Sequence, residues 1–342
     1  MQVISTSALP IDLAGQVTAA FPGTKVWVPA SGHVPIAQLD LSDADALVSL
    51  LLDRIDAALL ARAPKLRVVA NCAVGYDNVD LAAATAAGVA VTNTPDVLTE
   101  ATAELAFALL LACARRLGEG ERLVRSGAWA GWALDQLLGV QLAGKTLGII
   151  GYGRIGQAMA RRAIGFGMHV IYADPSGDGE RASAGPARRM SVNDVFETAD
   201  AVSLHCPLTA QTRNLVNAER LARMKPTALL INTARGGCVD EAALVEALTA
   251  GRLFGAALDV YAREPEVSAA LRACPRLVLL PHLGSATTEA RTQMAQLCAD
   301  AVIAVLRRQR PAHLVNVDVL DSDGPDTVDD LNNVTLPWNR RS

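Results

Sequence analysis

The sequence predicts an α/β protein built from two doubly wound parallel sheets. Strand-like and helix-like segments alternate through the first hundred residues, and a second alternation begins near residue 144. Such alternation implies βαβ units and a parallel sheet. The composition agrees, because 51% of the residues are hydrophobic but only 4% are aromatic, which suits helices packed on buried strands. A chain of 342 residues is long enough for two such domains.

The first alternation contains five short apolar runs that predict strands: VIST, KVWV, ALVSLL, RVVANC and VAVTNT. Segments such as NVDLAAATAAG lie between them and predict helices that end at glycine. A long apolar helix is expected from about Thr102 to Arg116. A stretch rich in glycine and tryptophan, SGAWAGWALDQLLG, separates it from the second alternation.

The second alternation runs through TLGII, HVIYAD, AVSLHC, ALLINTARGG, GAALDVY and LVLLPH, and one more long helix follows from Thr287 to about Arg308. We therefore expect a discontinuous outer domain, residues 1–97 and 286–318, around a contiguous inner domain, residues 98–285, with a cleft between them. Residues 319–342 are polar and have no periodicity, which predicts a mobile tail.

Charge and apolar patterning exclude several classes of protein. The 31 basic and 35 acidic residues are interspersed and give a net charge of −4, which argues against a nucleic acid or an anionic membrane as partner. The longest apolar run, LAFALLLACA, is only about half of the roughly 20 residues that a bilayer requires. The N-terminus does not resemble a signal peptide, and the six cysteines form no C-x-x-C pair. We expect a cytoplasmic protein with neither a metal site nor a disulfide framework.

A glycine motif opens the second alternation. Gly151, Gly153 and Gly156 form G-x-G-x-x-G, around Arg154 and Ile155. The pattern alone is weak, but here it follows a strand-like run and precedes a helical one, as a dinucleotide-binding turn requires. Glycines let the backbone approach a pyrophosphate, whose charge then lies at the positive end of the helix.

Asp174 ends the next predicted strand, eighteen residues after Gly156. A carboxylate there can accept hydrogen bonds from the adenosine ribose and repel a 2′-phosphate, so NAD is expected rather than NADP. The alternative is an ordinary acidic residue leaving a strand. Arg181 is close enough in sequence to weaken the preference, and NADP stays possible.

Four later apolar runs each end on polar groups, at His205, at Thr233 and Arg235, at Asp259 and at His282. Parallel sheets bind ligands at the carboxyl ends of their strands, so these side chains are expected to line one pocket. A lone histidine is more often structural than functional. Four such endings beside a glycine turn favour a functional site.

The residue types in that pocket suit hydride transfer to or from a small 2-oxo or 2-hydroxy acid. Arg235 offers a planar fork that matches a carboxylate. His282 is the side chain best matched to proton exchange near neutral pH. A carboxylate on its other ring nitrogen would fix the tautomer and favour the protonated ring, and Glu264 is the candidate.

The chain resembles the D-isomer-specific 2-hydroxyacid dehydrogenases up to about residue 318. Seven motifs carry the resemblance, namely AVGYDNVD, TAELAFALLLA, GKTLGIIGYGRIGQ, LHCPLT, INTARGGCVDE, ALDVYAREP and PHLGSAT. Among relatives, it looks most like glyoxylate, hydroxypyruvate and 2-ketogluconate reductases. The resemblance implies a Rossmann-type NAD domain inserted in a flavodoxin-like substrate domain.

It also implies the site residues. His282 would be the acid/base, Glu264 its partner and Arg235 the substrate anchor, with the amides of Val74 and Gly75 on the substrate carboxylate. The expected cofactor contacts are Thr102, Gly151, Gly153, Arg154, Ile155, Gly156, Asp174, His205, Pro207, Thr212, Thr233, Ala234, Asp259 and Gly284.

The activity implied is NAD(H)-dependent reduction of a small 2-oxoacid to the D-2-hydroxyacid, and the reverse oxidation. In similar enzymes the arm around Trp129 and Trp132 reaches the partner subunit of a homodimer, although simple packing is the alternative for both tryptophans. A second function is also compatible, because some relatives are non-catalytic NAD-sensing regulators or corepressors on the same fold.

Overall fold

The computed structural model describes residues 1–174 and 186–323, which fall into two compact units. Unit 1 comprises Met1–Leu98 and Thr287–Ser342, and unit 2 comprises Thr99–Ala286. Each unit has its own parallel sheet and its own hydrophobic core.

The strands of the described part are numbered in chain order. They are β1 (Gln2–Ser5), β2 (Lys25–Trp27), β3 (Ala46–Ser49), β4 (Val68–Asn71), β5 (Ala90–Thr92), β6 (Thr146–Ile150), β7 (His169–Ala173), β8 (Arg188–Arg189), β9 (Ala201–Leu204), β10 (Leu229–Asn232), β11 (Gly255–Leu258) and β12 (Leu277–Leu279).

The α-helices of the same part are α1 (Leu13–Ala20), α2 (Ala57–Ala61), α3 (Leu81–Ala86), α4 (Thr99–Ala114), α5 (Leu117–Arg125), α6 (Arg154–Gly165), α7 (Val192–Thr198), α8 (Ala218–Arg223), α9 (Glu241–Thr249), α10 (Ala269–Ala273) and α11 (Thr288–Leu306). Short 3-10 helices occur at Ile36–Gln38, Gly236–Cys238 and Val317–Asp323.

Unit 1 is built on a five-stranded sheet with the order β2-β1-β3-β4-β5, and every strand pair is parallel. Successive residues point to opposite faces of a strand, so one strand feeds two cores. In β3, Ala46 and Val48 pack in the cluster that contains α11, whereas Leu47 packs in the cluster with Leu59 of α2. Both faces of the sheet are therefore covered.

Unit 2 is built on a seven-stranded parallel sheet with the order β12-β11-β10-β9-β6-β7-β8. In β6, Leu147 and Ile149 pack with α4 and α6, and Ile150 packs in the opposite cluster. The order reverses between β6 and β9, which is where ligands bind in doubly wound sheets. The predicted α/β class with two parallel sheets is confirmed.

Two predicted boundaries differ from the structure. The helix expected from Thr102 starts three residues earlier, at Thr99, and ends at Ala114. The strand expected over ALVSLL ends at Ser49, because the N–H of Leu50 turns to the carboxylate of Asp53 at 2.8 Å and leaves the ladder.

The mobile tail was predicted to start at residue 319, but the structure is regular for several residues beyond that point. Residues 317–323 form a 3-10 helix, and the Val319 side chain is 0% exposed in the core cluster of unit 1. One apolar side chain in a polar segment is enough to dock it, and a periodicity argument cannot detect a single anchor. The rest of the predicted tail, 324–342, and Arg181 lie outside the described residues.

Candidate active site

The polar strand endings of unit 2 share one edge of its sheet. β6, β9, β10, β11 and β12 are all parallel, so the residues that follow them lie at the same side. These residues are Gly151 after β6, His205 after β9, Thr233 to Arg235 after β10, Asp259 after β11 and His282 three residues after β12. The predicted strand-end side chains are therefore brought to one edge.

The glycine turn lies against this edge. Gly151 has a φ of +91°, and a Cβ there would approach the backbone nitrogen of Cys206 to 2.6 Å. A Cβ at Gly156 would come within 2.2 Å of the Gly151 carbonyl oxygen. Only glycine fits both positions, and the turn can therefore pack closely against the residues that follow β9. Helix α6 begins at Arg154 and has Gly153 as its cap, so its first N–H groups receive no side-chain cap.

His282 and Glu264 form a hydrogen-bonded pair at the edge. The Nδ1 of His282 lies 2.7 Å from Oε2 of Glu264. Burial acts to raise the pKa of Glu264, but the bond to His282, the His282 charge, the Tyr261 N–H and the Arg235 guanidinium together lower it. Glu264 is therefore a carboxylate at neutral pH, and it accepts the Nδ1 proton of the histidine. Nε2 of His282, the ring nitrogen that does not contact Glu264, is therefore available for proton exchange.

The backbone of His282 is unusual. Its φ is +54°, in the left-handed region that few residues other than glycine adopt. The surrounding contacts hold this conformation, because the His282 N–H donates to the Asp259 carbonyl at 2.9 Å. The Asp259 carboxylate accepts the next two N–H groups, from Leu283 at 2.7 Å and Gly284 at 2.8 Å. Local strain of this kind is found at functional sites.

Asp259 itself is fully buried, at 0% exposure. Burial raises its pKa, and the two N–H donors and the nearby His282 oppose that rise. Thr102 joins the same network, because its hydroxyl donates to the Gly284 carbonyl at 3.1 Å. Three of the predicted cofactor residues, Thr102, Asp259 and Gly284, are thus linked in one hydrogen-bond network.

The loop that carries Glu264 is fixed by Tyr261. The Tyr261 N–H donates to Oε1 of Glu264 at 3.0 Å, and its hydroxyl donates to the Leu280 carbonyl at 2.8 Å, two residues before His282. Burial, followed by the charges of Asp259 and Glu264, raises the pKa of Tyr261 to about 12, so the hydroxyl remains a donor. Tyr261 therefore aligns the two members of the pair.

Arg235 follows β10 in a turn held by Asn232. The Asn232 amide donates to the Arg235 carbonyl at 2.9 Å, and its oxygen accepts the Ala234 N–H at 3.0 Å. The guanidinium is close enough to Glu264 to lower the pKa of that carboxyl. The next residue, Gly236, packs on the loop of Glu264, since a Cβ there would lie 1.8 Å from the carbonyl carbon of Tyr261.

The loop after β9 contains three further predicted cofactor residues. Thr212 is buried, and its hydroxyl donates to the Pro207 carbonyl at 2.6 Å. His205 is half-buried, with Nε2 2.9 Å from the hydroxyl of Ser203. Burial lowers the pKa of His205 to about 4, so this ring is neutral at neutral pH. Ser203 was not expected from the sequence, because a lone serine inside an apolar strand gives no signal.

Two observations suit a bound dinucleotide. Thr233 is 8% exposed, and within the described residues its hydroxyl has no hydrogen-bond partner, which is costly unless a ligand supplies one. Asp174 directly follows β7 and is half-buried, one strand beyond the glycine turn. Arg154 is exposed and Ile155 half-buried at the start of α6.

Val74 and Gly75 lie in unit 1, in the loop after β4. Their carbonyls are both taken, by the Asn93 amide at 2.8 Å and the Asn71 amide at 3.0 Å. Neither N–H meets an acceptor among the residues that the structure describes. Two adjacent donors on a fixed backbone suit an anionic group such as a carboxylate.

A buried network that the sequence did not reveal supports this loop. Asn78 donates through one nitrogen to the carbonyls of Leu50 (3.2 Å) and Asp53 (2.9 Å) and to the Asn71 side chain (3.1 Å). Asp53 is only 1% exposed. Its carboxylate accepts a hydrogen bond from the Thr6 hydroxyl at 2.6 Å, and its other oxygen lies 2.9 Å from Nε2 of His33.

Residues 107–284 match the family model described as D-isomer specific 2-hydroxyacid dehydrogenase, NAD binding domain. The chain is 49% identical over 287 residues to a glyoxylate reductase of Thermococcus litoralis, covering 83% of this chain and 87% of that protein. The chain belongs to the D-isomer-specific 2-hydroxyacid dehydrogenase family.

Solved structures agree with this membership. A protein of Thermus thermophilus superposes on the dehydrogenase with a TM-score of 0.85 and 45% identity, over 92% of this chain and all of that one. An NADPH-dependent glyoxylate/hydroxypyruvate reductase of Sinorhizobium meliloti, in complex with citrate, gives a TM-score of 0.79 at 33% identity over 92% and 97% of the two chains.

The family defines the chemistry at a general level. The dehydrogenase is an oxidoreductase, and its unit 2 contains the NAD-binding domain of the family. In the part of the chain that the structure describes, no helix has the length and apolar character needed to cross a membrane. The predicted family, enzyme class and NAD-binding fold are confirmed.

Proposed function

We propose that the dehydrogenase reduces a small 2-oxoacid, such as glyoxylate or hydroxypyruvate, to the D-2-hydroxyacid, and catalyses the reverse oxidation. The observation that carries the proposal is the 2.7 Å contact between His282 and Glu264 within the electrostatic reach of Arg235. The glyoxylate reductase of T. litoralis, 49% identical, supports the substrate class.

The bound nicotinamide would supply or take up the hydride. In the direction of reduction, His282 donates a proton from Nε2 to the carbonyl oxygen that becomes the hydroxyl. Glu264 stabilises the protonated ring before transfer and holds its orientation through Nδ1. The strained backbone of His282 keeps the imidazole in place, so that little motion is needed when the proton moves.

Arg235 and the loop of Val74 and Gly75 would bind the substrate. The guanidinium of Arg235 offers paired N–H donors to the carboxylate and the adjacent carbonyl. The N–H groups of Val74 and Gly75 have no protein acceptor in the described part of the chain and would bind the carboxylate.

NAD is the proposed cofactor, with NADP a weaker alternative. The turn of Gly151 to Gly156 and the start of α6 would hold the pyrophosphate, and Asp174 the adenosine ribose. The Thr233 hydroxyl, which has no hydrogen-bond partner among the described residues, supports a ligand at the nicotinamide end. The remaining predicted contacts are Thr102, His205, Pro207, Thr212, Ala234, Asp259 and Gly284. The S. meliloti enzyme is named for NADPH, so the cofactor needs its own test.

We also propose that the dehydrogenase forms a homodimer and is located in the cytoplasm. Large apolar side chains are exposed along α5 and the arm that follows it: Leu117, Val124, Trp129, Trp132, Leu134 and Leu138. Trp132 is 80% exposed, and an apolar surface of this extent is rarely left in water. Sedimentation of the purified protein is expected to give twice the chain mass, and Trp132→Glu to shift it towards the monomer.

Six free cysteines support a reducing compartment.

A panel of 2-oxoacids, each assayed with NADH and with NADPH, tests the function. Glyoxylate or hydroxypyruvate is expected to be reduced, with NADH preferred, and chiral analysis of a product longer than glycolate is expected to give the D-isomer. Neither the family model nor the relatives above support a non-catalytic regulator. That alternative would prevail if NADH bound while every acid stayed unreacted.

A further inference from the structure

Two cysteines of unit 1, Cys72 and Cys298, lie in one core region next to the loop of Val74 and Gly75, which we call the substrate loop. Cys72 directly follows β4, and Cys298 lies in α11. The Cys298 sulfur is 3.8 Å from the carbonyl oxygen of Ala70, the residue two positions before Cys72 on the same strand side. Cys72 packs against the core cluster of unit 1 that contains Cys298. Helix α11 therefore places Cys298 in the same cluster as Cys72.

The two thiols differ in reactivity. Cys72 is partly exposed, whereas Cys298 is 1% exposed. The nearby Cys298 thiol lowers the pKa of Cys72 despite its burial, and the charge of Arg291 acts in the same direction. Arg291 lies two helical turns before Cys298, on the same face of α11. The Cys72 thiol and burial raise the pKa of Cys298, so it remains a thiol. This pairing suits a nucleophilic cysteine with a resolving partner.

The other cysteines lack this combination. Cys113, Cys206 and Cys238 are buried, at 4%, 2% and 0% exposure. Cys274 is partly exposed like Cys72, but burial raises its pKa. Cys274 is therefore a natural control for a partly accessible thiol without an activating partner.

The position of Cys72 couples its chemistry to the substrate loop. The Cys72 N–H donates to the Ser49 carbonyl at 2.8 Å, and Val74 follows after one residue. A disulfide has a sulfur–sulfur distance of about 2.05 Å, shorter than any non-bonded contact between two thiols. Closing the bond draws the two sulfurs together, and Cys72 precedes Val74 by two residues and Gly75 by three.

We infer that Cys72 and Cys298 are an oxidation site that a hydroperoxide converts to a disulfide, and that the disulfide impairs binding of the 2-oxoacid. The Cys72 thiolate attacks the hydroperoxide, the oxygen–oxygen bond breaks, and the products are a sulfenic acid on Cys72 and an alcohol or water. The Cys298 sulfur then attacks the Cys72 sulfur, the sulfur–oxygen bond breaks and water leaves. A dithiol reductant reverses the oxidation by thiol–disulfide exchange.

The effect on substrate binding rests on the proposed function, but formation of the disulfide does not. The full-length protein is treated with hydrogen peroxide, blocked with an alkylating reagent and mapped by peptide mass spectrometry. A peptide pair linked through Cys72 and Cys298 is expected, and its absence at every peroxide concentration would overturn the inference. An inactive untreated protein would instead count against the proposed function and leave the mapping valid.

Activity and cofactor binding are measured on the same samples. Oxidation is expected to lower kcat/KM for the 2-oxoacid by roughly tenfold or more, mainly through KM, because the substrate loop is misplaced. Dithiothreitol is expected to restore it. The affinity for NADH, measured by fluorescence, is expected to stay unchanged, and an equal loss there would indicate general damage rather than the inferred disulfide.

Three variants separate the pair from general oxidation. Cys72→Ser is expected to resist peroxide, and Cys298→Ala to be inactivated without recovery in dithiothreitol, because a sulfenic acid without a resolving thiol oxidises further. Cys274→Ser is the matched control and is expected to behave like the wild type. Sensitivity of Cys72→Ser equal to that of the wild type would refute the inference, and the mapping of unmodified protein keeps the test valid if Cys298→Ala folds poorly.

Discussion

The carboxyl edges of the two parallel sheets present different kinds of groups. The edge of unit 2 carries ionisable side chains, Glu264, His282 and Arg235, beside a glycine turn. At the edge of unit 1, the N–H groups of Val74 and Gly75 lie on a loop held by side-chain amides. Both sheets are covered on two faces and are parallel throughout, so the architecture alone does not determine chemistry. The two edges therefore differ in chemistry, with ionisable side chains in unit 2 and backbone N–H groups in unit 1.

The largest effect is expected from the histidine. Replacement of His282 by Ala is expected to lower kcat by about a hundredfold to ten-thousandfold, the usual contribution of a general acid. Affinity for NADH, measured by fluorescence titration, is expected to change little. Turnover close to that of the wild type would remove the assignment of proton transfer to unit 2.

Arg235 is expected to give the next largest effect. Arg235→Gln removes the charge that binds the substrate carboxylate, so KM for the 2-oxoacid should rise and kcat should fall, by about a hundredfold in kcat/KM. Arg235→Lys keeps the charge without the planar fork and is expected to recover only part of the loss. Steady-state kinetics with both variants test this, and an unchanged KM in Arg235→Gln would contradict the anchor role.

Asn78 tests the contribution of unit 1. Asn78→Asp replaces an amide that donates to three oxygens by a carboxylate that can donate to none. KM for the 2-oxoacid is expected to rise by roughly tenfold, because these three acceptor oxygens lose their donor. The effect on kcat is expected to be smaller, since the acid/base pair lies in unit 2.

Asn316 supplies the matched control for that variant. Asn316 is a buried asparagine of unit 1, whereas Asn78 is half-buried. The Asn316 amide donates to the Val89 carbonyl at 2.9 Å and to the Thr85 hydroxyl at 3.0 Å. Asn316→Asp is expected to lower the melting temperature with KM unchanged. Equal KM changes in both variants would mean that Asn78 acts only through stability.

The smallest effect concerns the pH dependence of stability in unit 2. His205 has a folded-state pKa of about 4 against 6.5 for the free side chain, so the unfolded chain binds more protons between these values. Stability from this residue is complete above pH 6.5 and is lost as the pH falls towards 4, by an amount on the order of 3 kcal/mol.

Urea unfolding at several pH values measures this loss. His205→Asn is expected to flatten the decline between neutral pH and about pH 4, the folded-state pKa of the histidine. His169→Asn, at an exposed histidine of the same unit, is expected to leave the decline as in the wild type. An equally steep decline in His205→Asn would show that other groups dominate the acid sensitivity.

The strand-end residues were predictable because their signal is local. An apolar run that ends on a polar residue identifies both a buried strand and its carboxyl end, so His282, Arg235 and Asp259 could be assigned to one edge. Apart from the family resemblance, Glu264 was predictable only by the chemical need for a partner to His282. Its bond to His282 spans 18 residues and depends on the loop fixed by Tyr261.

Other parts of the molecule depend on contacts that are distant in sequence. The bond of Thr6 to Asp53 spans 47 residues, and Cys72 meets Cys298 across most of the chain. Neither has a periodicity or a motif, because each rests on the way a turn or a helix docks on the sheet. The docked segment around Val319 is of the same kind. Such contacts determine how the substrate loop is held, and sequence patterns do not encode them locally.

The contact between Gly236 and Tyr261 sets a limit for redesign of the enzyme. A methyl group at position 236 would overlap the Tyr261 backbone and force apart two loops that follow neighbouring strands. One loop bears Arg235 and the other bears Glu264, so a single added carbon would disturb both. Redesign of the enzyme should therefore leave this turn intact.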